Sequence, residues 1–232
     1  MLPLAALWAH GSLALGDFQP GRSDLDLIAL IESQPTSAQQ QALTVMHEAL
    51  ISEEPLAQGL HCSYVVRSEL ADPAREHLTW AHGEFFDRIV SPVTRRELWQ
   101  GELALFGPEP STVVPRVTDQ ELADYIRTDL QDYWYVQADL PELWLRDIWV
   151  DLGMLTFARA TVTLREGRLI TKREALDVLA TLNAPAEVVR DIFERRYQSP
   201  PPISQRWRTE RGDQTRSYLR QMIGRFLNGD HP

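Results

Sequence analysis

The sequence predicts an α/β (α+β) domain built on a small mixed sheet, followed by an all-α helical bundle. Three observations point there. Short apolar runs, some alternating and some continuous, are spaced by turn formers through the first half of the chain. A stretch of helical periodicity separates two of them, and strand–helix–strand order implies a layered sheet. Beyond Gly107-Pro108 the pattern is helical almost throughout. The expected domains are residues 1–108 and 109–232.

The elements follow in order. Leu4–His10 is a short apolar run that stops at Gly11-Ser12. The stretch LALGDFQPGRS is rich in turn formers. Asp24–Ile31 starts as alternating acid and apolar residues and becomes fully apolar, as a buried strand does. Ser37–Ile51 carries Ala42, Leu43, Met46, Ala49 and Leu50 at helical spacing, with Thr36 or Ser37 as its cap. His61–Val66 is rich in aromatic and β-branched residues and predicts a third strand. GPEPSTVVP, with three prolines, predicts a linker. Thr118-Asp-Gln-Glu has capping-box spacing. Helices are expected over Pro141–Leu164, Lys172–Leu182, Pro185–Tyr197 and Gln205–Leu227, with Pro141 and Pro185 in first turns and Pro200–Pro202 separating the last two. Trp144, Ile148 and Leu152 recur at i, i+4, i+8 and predict a core stripe.

Composition excludes several functions. The 232 residues carry 23 Lys+Arg against 33 Asp+Glu, a net charge of −10. An acidic chain is a poor non-specific binder of nucleic acid, because phosphate neutralisation drives such binding. It suits a cationic ligand. One cysteine, Cys62, excludes a disulfide framework and a cysteine zinc cluster. No apolar run approaches the length of a membrane span, and the apolar N-terminus lacks a basic n-region, so no signal peptide is read there. A cytoplasmic protein, monomeric or weakly dimeric, is expected.

The stretch that carries chemistry runs from Gly11-Ser12 to Ser23-Asp24-Leu25-Asp26. Alternate residues of a strand share a face, so Asp24 and Asp26 project two carboxylates about 7 Å apart along the strand. Like charges so placed need a positive partner. Mg²⁺ is held by one or two carboxylates plus phosphate oxygens, and a Gly-Ser turn offers phosphates backbone N–H groups and a hydroxyl. The pattern predicts a site for Mg²⁺ and a nucleoside triphosphate.

Gly11-Ser12, a spacer and Ser23-Asp-Leu-Asp-Leu27 resemble the signature of the DNA polymerase β-type nucleotidyltransferases. Leu105-Phe-Gly-Pro108, Leu155-Thr-Phe-Ala-Arg159, Gly167…Lys172 and Glu194–Tyr197 resemble the streptomycin/spectinomycin-type aminoglycoside adenylyltransferases in the expected order, so the resemblance spans nearly the whole chain. It implies transfer of AMP from ATP to a hydroxyl of a small cationic or hydroxylated acceptor, an aminoglycoside antibiotic among them, with Mg²⁺ and release of pyrophosphate. It further implies that Gly11, Ser12 and Ser23 meet the triphosphate and that Asp24 and Asp26 hold Mg²⁺. Arg159 and Lys172 would close on the phosphates and Tyr197 would contact the nucleotide.

The sequence departs from that family at the third carboxylate, which completes the metal site and serves as general base. Aligning Ser63–Val66 with the family's strand puts His61 there. Three accounts stay open: His61 is the base, a neighbouring acid reaches in, or transfer is lost and the protein binds a nucleotide or other ligand without turnover. A protein-modifying nucleotidyltransferase is a further alternative. The family usually has a helix before the first strand, and the chain starts too close to Gly11 to hold both. Acceptor contacts are expected in an acidic cleft between the domains, from Glu84, Phe85 and Phe86 and from Asp147, Trp149 and Asp151.

Overall fold

A computed structural model describes residues 2–200 and 202–229. The chain divides into two compact units, Met1–Thr118 and Asp119–Pro232. Each is described by itself.

The first unit is a six-stranded mixed sheet in the order β5-β4-β3-β2-β1-β6. Its strands are β1 (Leu4–Ala9), β2 (Leu25–Ile31), β3 (Leu60–Val66), β4 (Glu76–Ala81), β5 (Glu84–Ile89) and β6 (Leu103–Phe106). Among the described residues only β2 and β3 pair in parallel. A parallel pair needs a crossover, and α2 (Ser37–Glu53) supplies it. Thr36 caps α2 and forms a capping box with Gln39. α1 (Gly11–Ala14) follows β1, and α3 (Pro92–Gly101) lies between β5 and β6.

The two faces of the sheet follow from the period of two. Ala6, Trp8, Ile28, Leu30 and Val65 form one core cluster with Leu98 of α3. Ala29, Ile31, Cys62, Tyr64 and Val66 form the other, with Leu43 of α2 against them. Asp24, Asp26, Ile28 and Leu30 therefore share the α3 face, and the register Asp26↔His61, Ile28↔Ser63, Leu30↔Val65 puts His61 on it too. The apolar core of that face gives way to polar groups at one end of β2, which positions the site.

The residues expected to link the units pack on the first. Trp8 Nε1 donates to Pro108 O at 2.7 Å, Trp99 Nε1 to Val114 O at 2.9 Å, and Arg96 Nη2 to Val117 O at 2.8 Å. Val114 joins the core beneath them.

The second unit is helical. α4 (Asp119–Thr128) runs through a π-helical segment, Asp129–Trp134, into the short α5 (Tyr135–Gln137). α6 (Asp147–Glu166), α7 (Lys172–Thr181), α8 (Ala186–Tyr197) and α9 (Gln205–Leu227) complete it. Pro185 caps α8 from outside rather than opening it. Pro201, one of the three prolines before α9, lies outside the described residues.

The expected stripe Trp144, Ile148, Leu152 is corrected here. Residues Leu143–Leu145 form a 3₁₀ turn, so Trp144 precedes α6 and does not share its phase. Trp144 is fully buried, while Ile148 and Leu152 are exposed. The buried face of α6 runs instead through Val150, Gly153, Met154, Phe157 and Ala158. Trp144 wedges against two glycines. A Cβ at Gly153 would meet its ring at 2.7 Å, and one at Gly212 of α9 would meet its carbonyl at 2.8 Å. Close helix approach around a large ring requires the small residues.

Candidate active site

β1 ends at Ala9, and the chain turns at Gly11 in the left-handed region, φ +60°. The turn lies on Asp26: a Cβ at Gly11 would sit 2.5 Å from Asp26 Oδ2. Only glycine leaves room for that carboxylate. Ser12 O accepts Asp17 N at 2.9 Å, which closes the segment after α1. Ser23 is buried, and its Oγ accepts the N–H of Gln19 at 3.0 Å while its own N–H donates to Gln19 O. The Ser23 hydroxyl thus holds the loop that delivers Asp24, and it keeps one O–H to donate.

Asp24 precedes β2 by one residue and is half-exposed; Asp26 is more enclosed. His61 lies between them. Its Nδ1 is 3.4 Å from Asp26 Oδ1 and its Nε2 is 4.0 Å from Asp24 Oδ1. The imidazole therefore lies beside Asp26 on the carboxylate face. His82 stands edge-on against His61, with ring centroids 4.9 Å apart. No group of three metal-ligating side chains forms among the described residues. The donor set fits a hard divalent cation held by two carboxylates and completed by phosphate oxygens and water. It does not fit an all-protein cage.

Glu84 and Phe85 part company. Glu84 opens β5 opposite Ala81. Ala81 continues the Cys62↔Trp80 register by one step toward His61, so Glu84 shares the carboxylate face. Two strand spacings, about 10 Å, separate it from His61. Phe86 pairs with Thr79 on that same face. Phe85 lies on the opposite face, packed with His47, Tyr64 and Trp80. The β4–β5 hairpin that places both turns through His82 (φ 57°) and Gly83 (φ 84°). Two positive φ values suit a tight two-residue turn.

In the second unit Arg159 Nε donates to Ile170 O at 3.0 Å. That bond ties α6 to the loop entering α7, whose first residue is Lys172. Thr171 fixes the start of α7 through a capping box with Glu174. Tyr197 ends α8 with its ring 4.6 Å from the guanidinium carbon of Arg173, which also lies 4.9 Å from Phe193. Asp147 and Asp151 are already paired. Arg211, fully buried, binds Asp147 Oδ1 at 2.6 Å and Asp191 Oδ2 at 3.0 Å. Arg195 pairs with Asp151 and Asp191. Burial pushes the Asp151 carboxyl up despite Arg195. Asp147 is also penalised by burial, yet the Arg211 guanidinium holds its carboxyl below the usual range. These acids serve the bundle, so a cationic ligand would find their charge compensated.

Two polar side chains beside the carboxylates escape a reading of the sequence. His10 Nδ1 lies 3.1 Å from Glu97 Oε2, across 87 residues of chain. The only local signal is the dipeptide His10-Gly11 at a strand end.

No protein-family model and no curated protein matches the sequence. The structure does find a counterpart in the crystal structure of spectinomycin adenyltransferase AAD(9) from Enterococcus faecialis, solved with ATP and spectinomycin. The TM-score is 0.66, over 95% of this chain and 92% of that one, at 16% sequence identity. The chain shares the adenyltransferase fold. The likeness covers both units, in agreement with the sheet-then-bundle order read from the sequence. Among the described residues no helix is long and apolar enough to cross a membrane.

Proposed function

We propose that the protein is a nucleotidyltransferase that moves AMP from ATP to a hydroxyl of a small acceptor. The observation that carries this reading is the seating of Asp26, with Asp24 two residues before it, against the left-handed Gly11-Ser12 turn. A carboxylate pair beside a turn of exposed N–H groups is an arrangement for a metal–triphosphate. The shared fold with a protein solved with ATP and spectinomycin supports the same reading.

Asp24 and Asp26 would hold Mg²⁺, which when bound would neutralise charge on the phosphates. Gly11 and Ser12 would receive the triphosphate, and Ser23 would keep the Asp24 loop in register. Arg159 and Lys172 would add positive charge, and Tyr197 would contact the nucleotide. The acceptor oxygen would attack the α-phosphorus in line, the bond to the β-phosphate oxygen would break, and pyrophosphate would leave. His61 is the group at hand to take the acceptor's proton. The acceptor class is a small cationic polyol, such as an aminoglycoside, met by Glu84.

Pyrophosphate release from ATP should require Mg²⁺ and vanish in Asp24→Asn/Asp26→Asn. Full activity in that variant would sink the metal assignment. A second reading is a nucleotide-binding protein with little transfer, favoured by the His61 ring that faces both carboxylates. His61→Glu separates the two: a gain of transfer means a weakened site, and loss of existing transfer means a histidine base.

A further inference from the structure

We propose that His10, held by Glu97, contacts the phosphates of the bound nucleotide, and that α3 braces the turn beneath them. The proposal rests on the nucleotide reading above.

His10 follows β1, and its backbone N–H donates to the carbonyl of Asp26 at 2.9 Å. It continues the antiparallel register Trp8↔Ile28, Ala9↔Leu27 and so stands directly opposite Asp26. His61 stands beside Asp26 on the other side. Asp26 is thus flanked by two histidines on one sheet face, and the two are held differently. His61 turns both ring nitrogens toward carboxylates, Asp26 and Asp24. His10 turns only Nδ1 to a carboxylate, that of Glu97. Its Nε2 makes no hydrogen bond among the described residues and is not a buried orphan. The next residue is Gly11. A ring so placed meets Glu97 through Nδ1 and leaves Nε2 to face a phosphate oxygen.

The burial of Glu97 argues against chance. A carboxylate under a helix is costly unless compensated, and a leucine at that position would extend the core around Leu98 at no such cost. Four residues on, along the same face of α3, is Gly101. A Cβ there would come 2.5 Å from Ala14 Cβ. α3 therefore touches the phosphate turn before it, through Glu97 and His10, and after it, through Gly101 and Ala14. Glu97 and Gly101 are positioning residues in this account.

The test uses the full chain. Histidine ring resonances are followed by NMR while inorganic pyrophosphate, and separately ATP, is added with Mg²⁺. Affinities are measured by calorimetry for the wild type, His10→Phe, His10→Gln and Glu97→Gln. The His10 ring signals should move with both probes. His10→Phe should weaken binding about tenfold or more, the worth of one hydrogen bond to a charged group. His10→Gln keeps an N–H near the Nε2 position and should recover part of the loss, a rescue that a purely structural role would not show. Glu97→Gln should weaken binding less than His10→Phe. The NMR arm needs no variant, so a misfolded His10→Phe would not spoil the test. Pyrophosphate moving the His10 signals while no nucleotide binds would keep this proposal and overturn the proposed function. ATP binding with unmoved His10 signals and unchanged affinity in His10→Phe would overturn the proposal and keep the function. Binding of neither probe would overturn both.

Discussion

Gly11→Ala tests the seating of Asp26 in a way that separates strain from function. The substitution forces a Cβ into a left-handed backbone at φ +60°, which costs about 1–2 kcal/mol. It also places that Cβ 2.5 Å from Asp26 Oδ2. The carboxylate must retreat by about 1 Å, a displacement of the size that can cost a hundredfold in a positioned site. Gly16→Ala and Gly21→Ala are the controls. Both glycines are left-handed, at φ 76° and 72°, and a Cβ at either meets nothing within 4 Å. All three variants should lose about 2–8 °C in melting temperature, given the usual few degrees per kcal/mol for chains of this size. Only Gly11→Ala should also lose Mg²⁺-dependent ATP binding, read by calorimetry well below the melting transition. If Gly11→Ala binds ATP as the wild type does, the turn and Asp26 do not form one site. If the controls lose binding equally, the effect is strain in the loop and not the displaced carboxylate.

Stability should fall in mild acid. His47 is buried, stacks on Trp80 with centroids 4.6 Å apart, and shares a 2.7 Å hydrogen bond with Tyr64 Oη. Burial lowers its pKa from 6.5 to about 4. The unfolded chain therefore binds a proton between those values that the folded chain refuses, so stability drops as pH falls from about 6.5 toward 4. The limiting loss is about 3 kcal/mol. Burial lowers His77 as well and adds in the same direction. Urea unfolding across this window should show the slope, and His47→Gln should flatten it; an unchanged slope would assign the effect elsewhere. In the bundle, Arg211→Met removes the fully buried guanidinium that pairs with Asp147 and Asp191. Breaking such a network costs about 3–5 kcal/mol, so a variant within 1 kcal/mol of the wild type in the same assay would show that the network carries little.

The parts of the fold legible in the sequence are those with strong local periodicity. Asp24–Ile31 and His61–Val66 appear as β2 and β3 within a residue, and Gln205–Leu227 appears as α9 with both ends. β4, β5 and α3 were not legible. β5 is mostly exposed and charged, and its turn is His82-Gly83 rather than the Asn-Gly that marks a two-residue hairpin. α6 shows how a phase error spreads: starting the helix at Pro141 rather than Asp147 put Ile148 and Leu152 in the core, and both are exposed. At the site, the sequence distance between Asp24 and Asp26 was enough to place two carboxylates on one face. Placing His61 beside Asp26 also needed the strand register. Placing Glu97 on His10 needed the whole fold, since no local pattern links positions 87 residues apart.

The sheet orders its charges by strand, and the order favours one direction for the chemistry. On the α3 face His10 follows β1 with Glu97 behind it, Asp24 and Asp26 stand at the start of β2, His61 near the start of β3, and Glu84 opens β5. A polyphosphate is repelled by Glu84 and drawn to the N–H groups of the Gly11-Ser12 turn, so on the proposed reading it lies over β1 and β2. On the same reading a cationic acceptor would be drawn to Glu84 instead. His61 then stands at the junction, between the carboxylates that would hold the metal and the side from which the acceptor oxygen would arrive. A carboxylate at His61 would add a third negative charge to that junction. An imidazole adds none, and a ring that faces both Asp24 and Asp26 would have to turn a nitrogen toward the acceptor to take its proton. On the proposed reading, the competition between those two placements of His61 is what His61→Glu tests.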